Sequence, residues 1–208
     1  MSLLLLNPNG SAATTAAMLT IARAAAPGVA LDGLTNRGAP SIILDTAGLA
    51  TAEALLLALP LPPARAIILA AFADPGLAAL RARGLVVTGI AEASMAAAPG
   101  RFAVVTTTPG LAASITALAA HYGHASRFVG VVLTEGPPDQ VMADPSRLAE
   151  ALLQACADAA TLGAESIVIG GGPLAVAARA IAPLVSVQLV EPVPEAVRLS
   201  LRRLAAGQ

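Results

Sequence analysis

The sequence predicts an α/β protein built as two pseudosymmetric, Rossmann-like parallel-sheet units of about 100 residues each, sharing an interdomain cleft. Three observations carry this. Short Leu-rich or β-branched runs alternate with longer Ala/Leu segments at helical spacing, the pattern of parallel strands covered on both faces. Gly or Pro marks most boundaries between them. And the pattern repeats: LLLLNPNG at Leu3–Gly10 returns as AVVTTTPG at Ala103–Gly110, and AIILAAF at Ala66–Phe72 returns as SIVIGGG at Ser166–Gly172, each 100 residues later.

In order, the apolar runs predict strands over Leu3–Leu6, Val29–Leu34, Ala66–Ala70, Leu85–Val87, Phe102–Thr106, Phe128–Leu133, Ser166–Ile169 and Val185–Leu189. Between them the Ala/Leu spacing predicts helices over Ala12–Ala26, Thr46–Leu59, Pro75–Arg83, Glu92–Ala98, Leu111–Tyr122, Pro145–Leu162, Leu174–Ile181 and Pro194–Ala205. The short runs at 85 and 185 are each followed by an acidic residue, Glu92 or Glu191, which the repeat makes rough duplication mates. Parallel sheets bind ligands beyond the carboxyl ends of their strands, so the strand tips are where function is expected.

Composition removes several function classes. All 12 basic residues are Arg, so a Lys Schiff base, bound pyridoxal phosphate and a P-loop Lys are excluded. A net charge of −1 without a basic cluster lacks the footprint of nucleic-acid binding. The single cysteine, Cys156, excludes an internal disulfide and any mechanism needing two thiols in one chain. It lies in an amphipathic-looking helix, as an ordinary small core residue does. Mean hydropathy is +0.76, but the most apolar stretch, Ala54 to Ala73, is broken by Pro60, Pro62, Pro63 and Arg65, short of the ~20 residues a spanning helix needs. The amino terminus has no basic region and only four consecutive Leu, so no signal peptide, no membrane partner and a cytoplasmic location are expected.

Two polar tips stand out. Asn7-Pro8-Asn9-Gly10-Ser11 precedes the first long helix. Its Asn and Ser are good N-caps, and the same amides and hydroxyl with helix-start N–H groups also make a neutral site for a carboxylate or imide oxygen. Thr106-Thr107-Thr108-Pro109-Gly110 repeats the arrangement in the second half. Gly170-Gly171-Gly172-Pro173 offers backbone N–H groups to an anion but does not fit GxGxxG. Asp74 reads as a cap for the helix that its Asp-Pro pair opens. His121 and His124, flanking Gly123, read as a surface helix end, and no carboxylate beside them completes a metal set.

Asn7-Pro8-Asn9 with Ser11 and Thr15, Arg37-Gly38-Ala39-Pro40-Ser41-Ile42, Phe72-x-Asp74-Pro75-Gly76, Gly89-Ile90-x-Glu92-Ala93, Thr106-Thr107 and Glu191-Pro192-Val193 resemble, in order and nearly end to end, the hydantoin racemases of the aspartate/glutamate racemase superfamily. The resemblance implies a two-domain α/β fold with the active site between its halves, a last helix returning to the first domain, and a homo-oligomer. Domains of 1–99 plus 191–208 and of 100–190 follow. It also implies inversion of a carbon beside a carbonyl without cofactor or metal, by two acid/base groups on opposite faces. The family uses two cysteines for this. Their positions fall on Ala71 and Gly171, neither of which can carry a proton, so the two-thiol mechanism is excluded. No catalytic residue is assigned, and Glu92 and Glu191 are the candidate replacement bases. Asn9, Ser11, Ala71, Thr107, Thr108, Gly171 and Gly172 are expected to contact a small carboxylate, amino-acid derivative or ureide. Two functions stay open: isomerase or lyase chemistry with a non-cysteine base, or a catalytically silent binding protein that keeps the cleft.

Overall fold

The computed structural model describes residues 2–207. The first sheet is formed by β1 (Ser2–Asn7), β2 (Ala30–Thr35), β3 (Ala66–Leu69) and β4 (Val87–Gly89), ordered β2-β1-β3-β4 and parallel throughout. Helices α1 (Ala12–Ala25), α2 (Thr46–Leu57), α3 (Leu77–Ala82) and α4 (Ile90–Ala97) accompany it. The second sheet, of β5 (Phe102–Thr106), β6 (Phe128–Leu133), β7 (Ser166–Ile169) and β8 (Gln188–Val190), has the same order, β6-β5-β7-β8. Its helices are α5 (Ala112–His121), α6 (Pro138–Ala143), α7 (Pro145–Thr161) and α8 (Ala175–Ile181). The chain closes with α9 (Pro192–Ala205), which packs on α4 and α1.

The central strands β1, β3, β5 and β7 are apolar along most of their length because both of their faces are covered. Leu3 and Leu5 of β1 enter one core with Ile68 of β3 and with Phe102, Val104 and Val168 of the second sheet. The alternate residues Leu4, Leu6, Ile67 and Leu69 face a second core under α2 and α3. In the second unit Ala103, Val105, Ile167 and Ile169 face a third core under α7 and α8. The shared core therefore joins the two sheets through one face of each, following the alternation of side chains along a strand. Among the described residues no helix is long and apolar enough to cross a membrane.

Several expectations shift. The predicted helix from Pro75 begins at Leu77, because Asp74 (φ 48°) and Gly76 (φ 83°) are left-handed and cannot open an α-helix. The helix expected from Glu92 begins two residues earlier, at Ile90. The runs at 85 and 185 join their sheets late, as Val87–Gly89 and Gln188–Val190. Helix α6 is an addition to the predicted set, although Pro138 at its first turn is a helix-start signal.

The repeat is also not one uniform offset. Ala66 and Ser166 pair with Leu3 and Phe102, so β5 repeats β1 after 99 residues and superposes Thr106 on Asn7. Ile67 and Ile167 pair with Val87 and Leu189, an offset of 102 for the last strand. Gly89 and Glu191 thus correspond, and both are N-caps, of α4 and α9. Glu92 lies one helical turn further on, so Glu92 and Glu191 are not duplication mates.

Candidate functional site

The carboxyl ends of β1, β3, β5 and β7 surround one cavity of about 530 Å³, open mouth included. Its polar side is formed by Asn9 and by Thr106, Thr107 and Thr108. The strand tips Ala70–Phe72 and Gly170–Leu174 form its floor, and Ile42, Ile43, Leu111, Ile115 and Met142 its apolar wall.

Asn9 is fixed from behind. Its Oδ1 accepts from Asn7 Nδ2 (2.9 Å) and from the Ser11 backbone N–H (3.0 Å), which leaves its amide N–H groups as its unoccupied donors. Asn7 is held in turn by donating to Thr15 Oγ1 (2.9 Å) and accepting the Asn9 N–H (3.1 Å). Ser11 does not line the cavity: its Oγ accepts the Thr14 N–H (3.1 Å) and caps α1. In the second unit Thr106 and Thr108 share a hydroxyl hydrogen bond (3.0 Å), and the Thr107 hydroxyl lies 3.6 Å from Met142 Sδ. Ile42, Ile43 and Met142 escape sequence reasoning. Ile42 closes the quoted Pro40-Ser41-Ile42 motif and Ile43 follows it, but nothing in one sequence says that this loop folds over the strand tips.

Ala71 and Gly171 both line the cavity, with different tolerance for a side chain. Ala71 already carries a Cβ there. Gly171 has φ 155°, and a Cβ on it would stand 3.2 Å from two atoms of Leu174. Its neighbour Gly172 is closed by Met18 Sδ at 2.8 Å, and Gly170 by Val104 Cγ1 at 2.7 Å. The run of three glycines lets the backbone pass where side chains would collide.

Neither candidate base is at the cavity. Glu92 accepts from Arg203 Nη2 (2.7 Å) and Arg81 Nη2 (2.7 Å). Burial raises its carboxyl, but the hydrogen bonds from Arg203 and then Arg81 outweigh that and hold it below the usual range. Glu191 is ion-paired with Arg179 at the start of α9. Cys156 is buried in the third core, and burial pushes its thiol up to about 11. His124 packs edge-on against Phe102; burial and then the nearby Arg127 lower its pKa. Among the described residues no group of three His, Cys, Asp or Glu could hold a metal ion.

Asp74 does cap a helix, but not its own. Its carboxylate reaches to the N–H groups of Ala91 (3.0 Å) and Glu92 (2.8 Å) at the start of α4, and accepts the Tyr122 hydroxyl (2.8 Å) from the end of α5. Burial pushes it up from the ordinary 3.8 to about 6, against the lowering effect of those three donors.

Solved structures with this fold include an allantoin racemase from Pseudomonas fluorescens, 24% identical with a TM-score of 0.89, covering 100% of this chain and 92% of its own. An allantoin racemase from Klebsiella pneumoniae is 29% identical with a TM-score of 0.85, covering 100% and 89%. A glutamate racemase from Francisella tularensis, at 13% identity and a TM-score of 0.58, covers 99% and 81%. A comparison with curated proteins finds no match. Residues 3–200 match the family described as Asp/Glu/hydantoin racemase, nearly the whole of a chain with two equivalent parallel sheets and one cavity at their tips, and the chain belongs to that family.

Proposed function

We propose that the cavity binds a small neutral ureide or imide and that this chain is a binding member of its family, without the two-thiol proton transfer. One observation carries the reading: none of the 17 residues lining the cavity has an ionisable side chain. Inversion needs a base on one face of the carbon and an acid on the other, and the residues at the two relevant tips are Ala71 and Gly171. The isomerase or lyase reading with Glu92 or Glu191 as base finds no support in their geometry, because both carboxylates are paired with arginines elsewhere.

The same observation ranks the ligands. A zwitterionic amino acid or a free carboxylate would place charge in a cavity with no side chain of opposite sign, and an unpaired buried charge is costly. A ureide carries only amide N–H and C=O groups, which match the free Asn9 amide, the threonine hydroxyls and the backbone at the tips. The two allantoin racemases similar in fold support a ureide, since allantoin is one. We further propose units of 1–99 with 191–208 and of 100–190, and a homo-oligomer, which light scattering on the purified chain checks.

Thermal unfolding with allantoin, hydantoin or aspartate, paired with proton NMR of each ligand in D₂O, tests the function. Bound at a hundredfold excess over Kd, a ligand stabilises by about 2.7 kcal/mol. The expected result is a raised Tm with allantoin or hydantoin, little with aspartate, and no loss, beyond the rate without protein, of a proton on the carbon beside the carbonyl. Exchange of that proton for deuterium beyond that rate overturns the silent reading, and stabilisation by aspartate alone overturns the ureide.

A further inference from the structure

The tip after β3 is bent in a way side-chain-bearing residues resist. Ala73 (φ 93°) and Asp74 (φ 48°) are consecutive left-handed non-glycine residues, and such backbone persists only where its surroundings over-determine it. What does so here is the Asp74 carboxylate, 5% exposed, accepting from Ala91 N–H, Glu92 N–H and Tyr122 Oη–H. The fit is closed: a Cβ on Gly89 would lie 2.2 Å from the carboxylate carbon. The tip it holds presents Ala71 and Phe72 to the cavity, and Tyr122 follows the helix whose beginning presents Leu111 and Ile115 to the same cavity. A single carboxylate thus joins the floor of the first unit to a wall of the second.

We propose that Asp74 is the positioning residue of the cavity: it holds the 71–74 tip in its bent conformation and, through Tyr122, fixes that tip against α5 so that the two walls keep their spacing around a ligand. The ligand half of this rests on the proposed function; the conformational half does not.

The arrangement carries a dependence on pH. The groups facing Asp74 are Glu92 on α4, Arg81 on α3 and Arg203 on α9, which both engage Glu92, and Tyr122 after α5, with the His121 ring 5.4 Å from that of Tyr122. Glu92 stays charged because its arginines hold it low, and burial, followed by the nearby Asp74, pushes Tyr122 up and keeps it a donor. Asp74 is the group poised to change, near 6. Its burial costs the ionised form more than the three donors return, so the closed tip binds a proton more tightly than an opened tip, whose carboxyl meets water at the ordinary 3.8. Opening therefore becomes easier as pH rises from 4 to 6, and stops changing above that.

Hydrogen exchange of the amides at 71–74 and 91–92, measured on the full chain between pH 4 and 8 and corrected for intrinsic rates, tests this. Protection in the unsubstituted chain should fall about thirtyfold from pH 4 to 6, the share inside that window of a tenfold change for each pKa unit of difference between closed and open tips. Asp74→Asn should be independent of pH. Its amide sets an N–H against the Glu92 N–H, so protection at 71–74 should lie about tenfold below the unsubstituted chain at pH 4, the weight of one hydrogen bond. Tyr122→Phe removes a donor that favours the ionised form and should extend the fall to higher pH, whereas His121→Asn should leave it in place. Gly89→Ala keeps the carboxylate but displaces it, and should reproduce the loss of protection if Asp74→Asn fails to fold. Allantoin affinity should fall about tenfold in Asp74→Asn. If allantoin does not bind the unsubstituted chain while protection follows pH as described, the positioning role stands and the ligand is wrong. Protection that is flat from pH 4 to 8, or equal to the parent in both Asp74→Asn and Gly89→Ala, overturns the proposal and leaves Asp74 a helix cap.

Discussion

At the end of β3 the chain turns through Ala71, Phe72, Ala73 and Asp74; at the corresponding end of β7 it turns through Gly171, Gly172, Pro173 and Leu174. Both tips floor one cavity, yet they are held by opposite chemistry. The first is clamped by a buried carboxylate that also caps α4, the helix after β4, whose N-cap is the glycine that makes room for it. In the second, Leu174 stands where Asp74 does and shields Gly171 by apolar contact, while an acidic residue, Glu191, sits at the N-cap of α9, the helix after β8. A side chain therefore meets different surroundings at the two tips. Ala71 is an ordinary position that already carries a Cβ. At Gly171 the backbone itself has a conformation that a side chain opposes.

The largest effect that sharpens this contrast is the response of stability to pH. The folded-state pKa of Asp74 is raised, so its contribution is fully present below the unfolded value of 3.8 and is lost as pH rises through about 6. Two pKa units correspond to about 3 kcal/mol. Denaturant unfolding should show the parent losing stability relative to Asp74→Asn by up to that amount between pH 4 and 6. Leu174 gives the second tip no such group, so Leu174→Ala should leave the pH profile unchanged in shape. Equal slopes in the parent and Asp74→Asn would place the carboxylate in surroundings as wet as the unfolded chain, and the contrast between a polar and an apolar clamp would fail.

Next in size is the cost of placing a sulfur at each tip. Gly171→Cys forces a Cβ against Leu174 at an unfavourable φ and should destabilise by about 1–3 kcal/mol. Ala71→Cys adds one atom facing open cavity and should change stability by less than about 1 kcal/mol. The midpoints of urea unfolding decide it; equal losses would erase the difference between the tips.

Much of this contrast is hidden in the sequence for reasons of distance. The strands β5, β6 and β7 are legible to the residue, because short β-branched runs bounded by polar residues or glycine leave little ambiguity of period. The run beginning at Leu85 is the opposite case. Leu85 and Val86 are apolar and partly buried but lie before the pairing that begins at Val87, so hydrophobicity marks that strand two residues early. The cavity floor is legible at Ala71, Gly171 and Gly172, and its polar side at Thr107 and Thr108, through the repeat and the resemblance. Its apolar wall is not, since Ile42 and Ile43 come from a loop, and Met142 from a short helix, whose paths depend on the whole fold. Nor is the Asp74 clamp: its partners lie 17, 18 and 48 residues away, beyond any local capping rule.

The two glutamates give the smaller tests. Glu92 lies between two arginines, and its depressed pKa means that its stabilisation is present at neutral pH and lost as pH falls, the reverse of Asp74. With Arg81 about a third exposed, solvent screening reduces the effect, and Glu92→Gln should destabilise by about 1 kcal/mol at pH 7 without altering ligand affinity. Glu191 and Arg179 are both more than a third exposed, so their pair is worth less. Glu191→Gln keeps a hydrogen-bonding side chain at the N-cap of α9 and should shift stability by under about 0.5 kcal/mol. If instead it removes binding or any turnover while Glu92→Gln does not, the charge at the start of α9 acts on the cavity after all, and the ion pair with Arg179 is not its role.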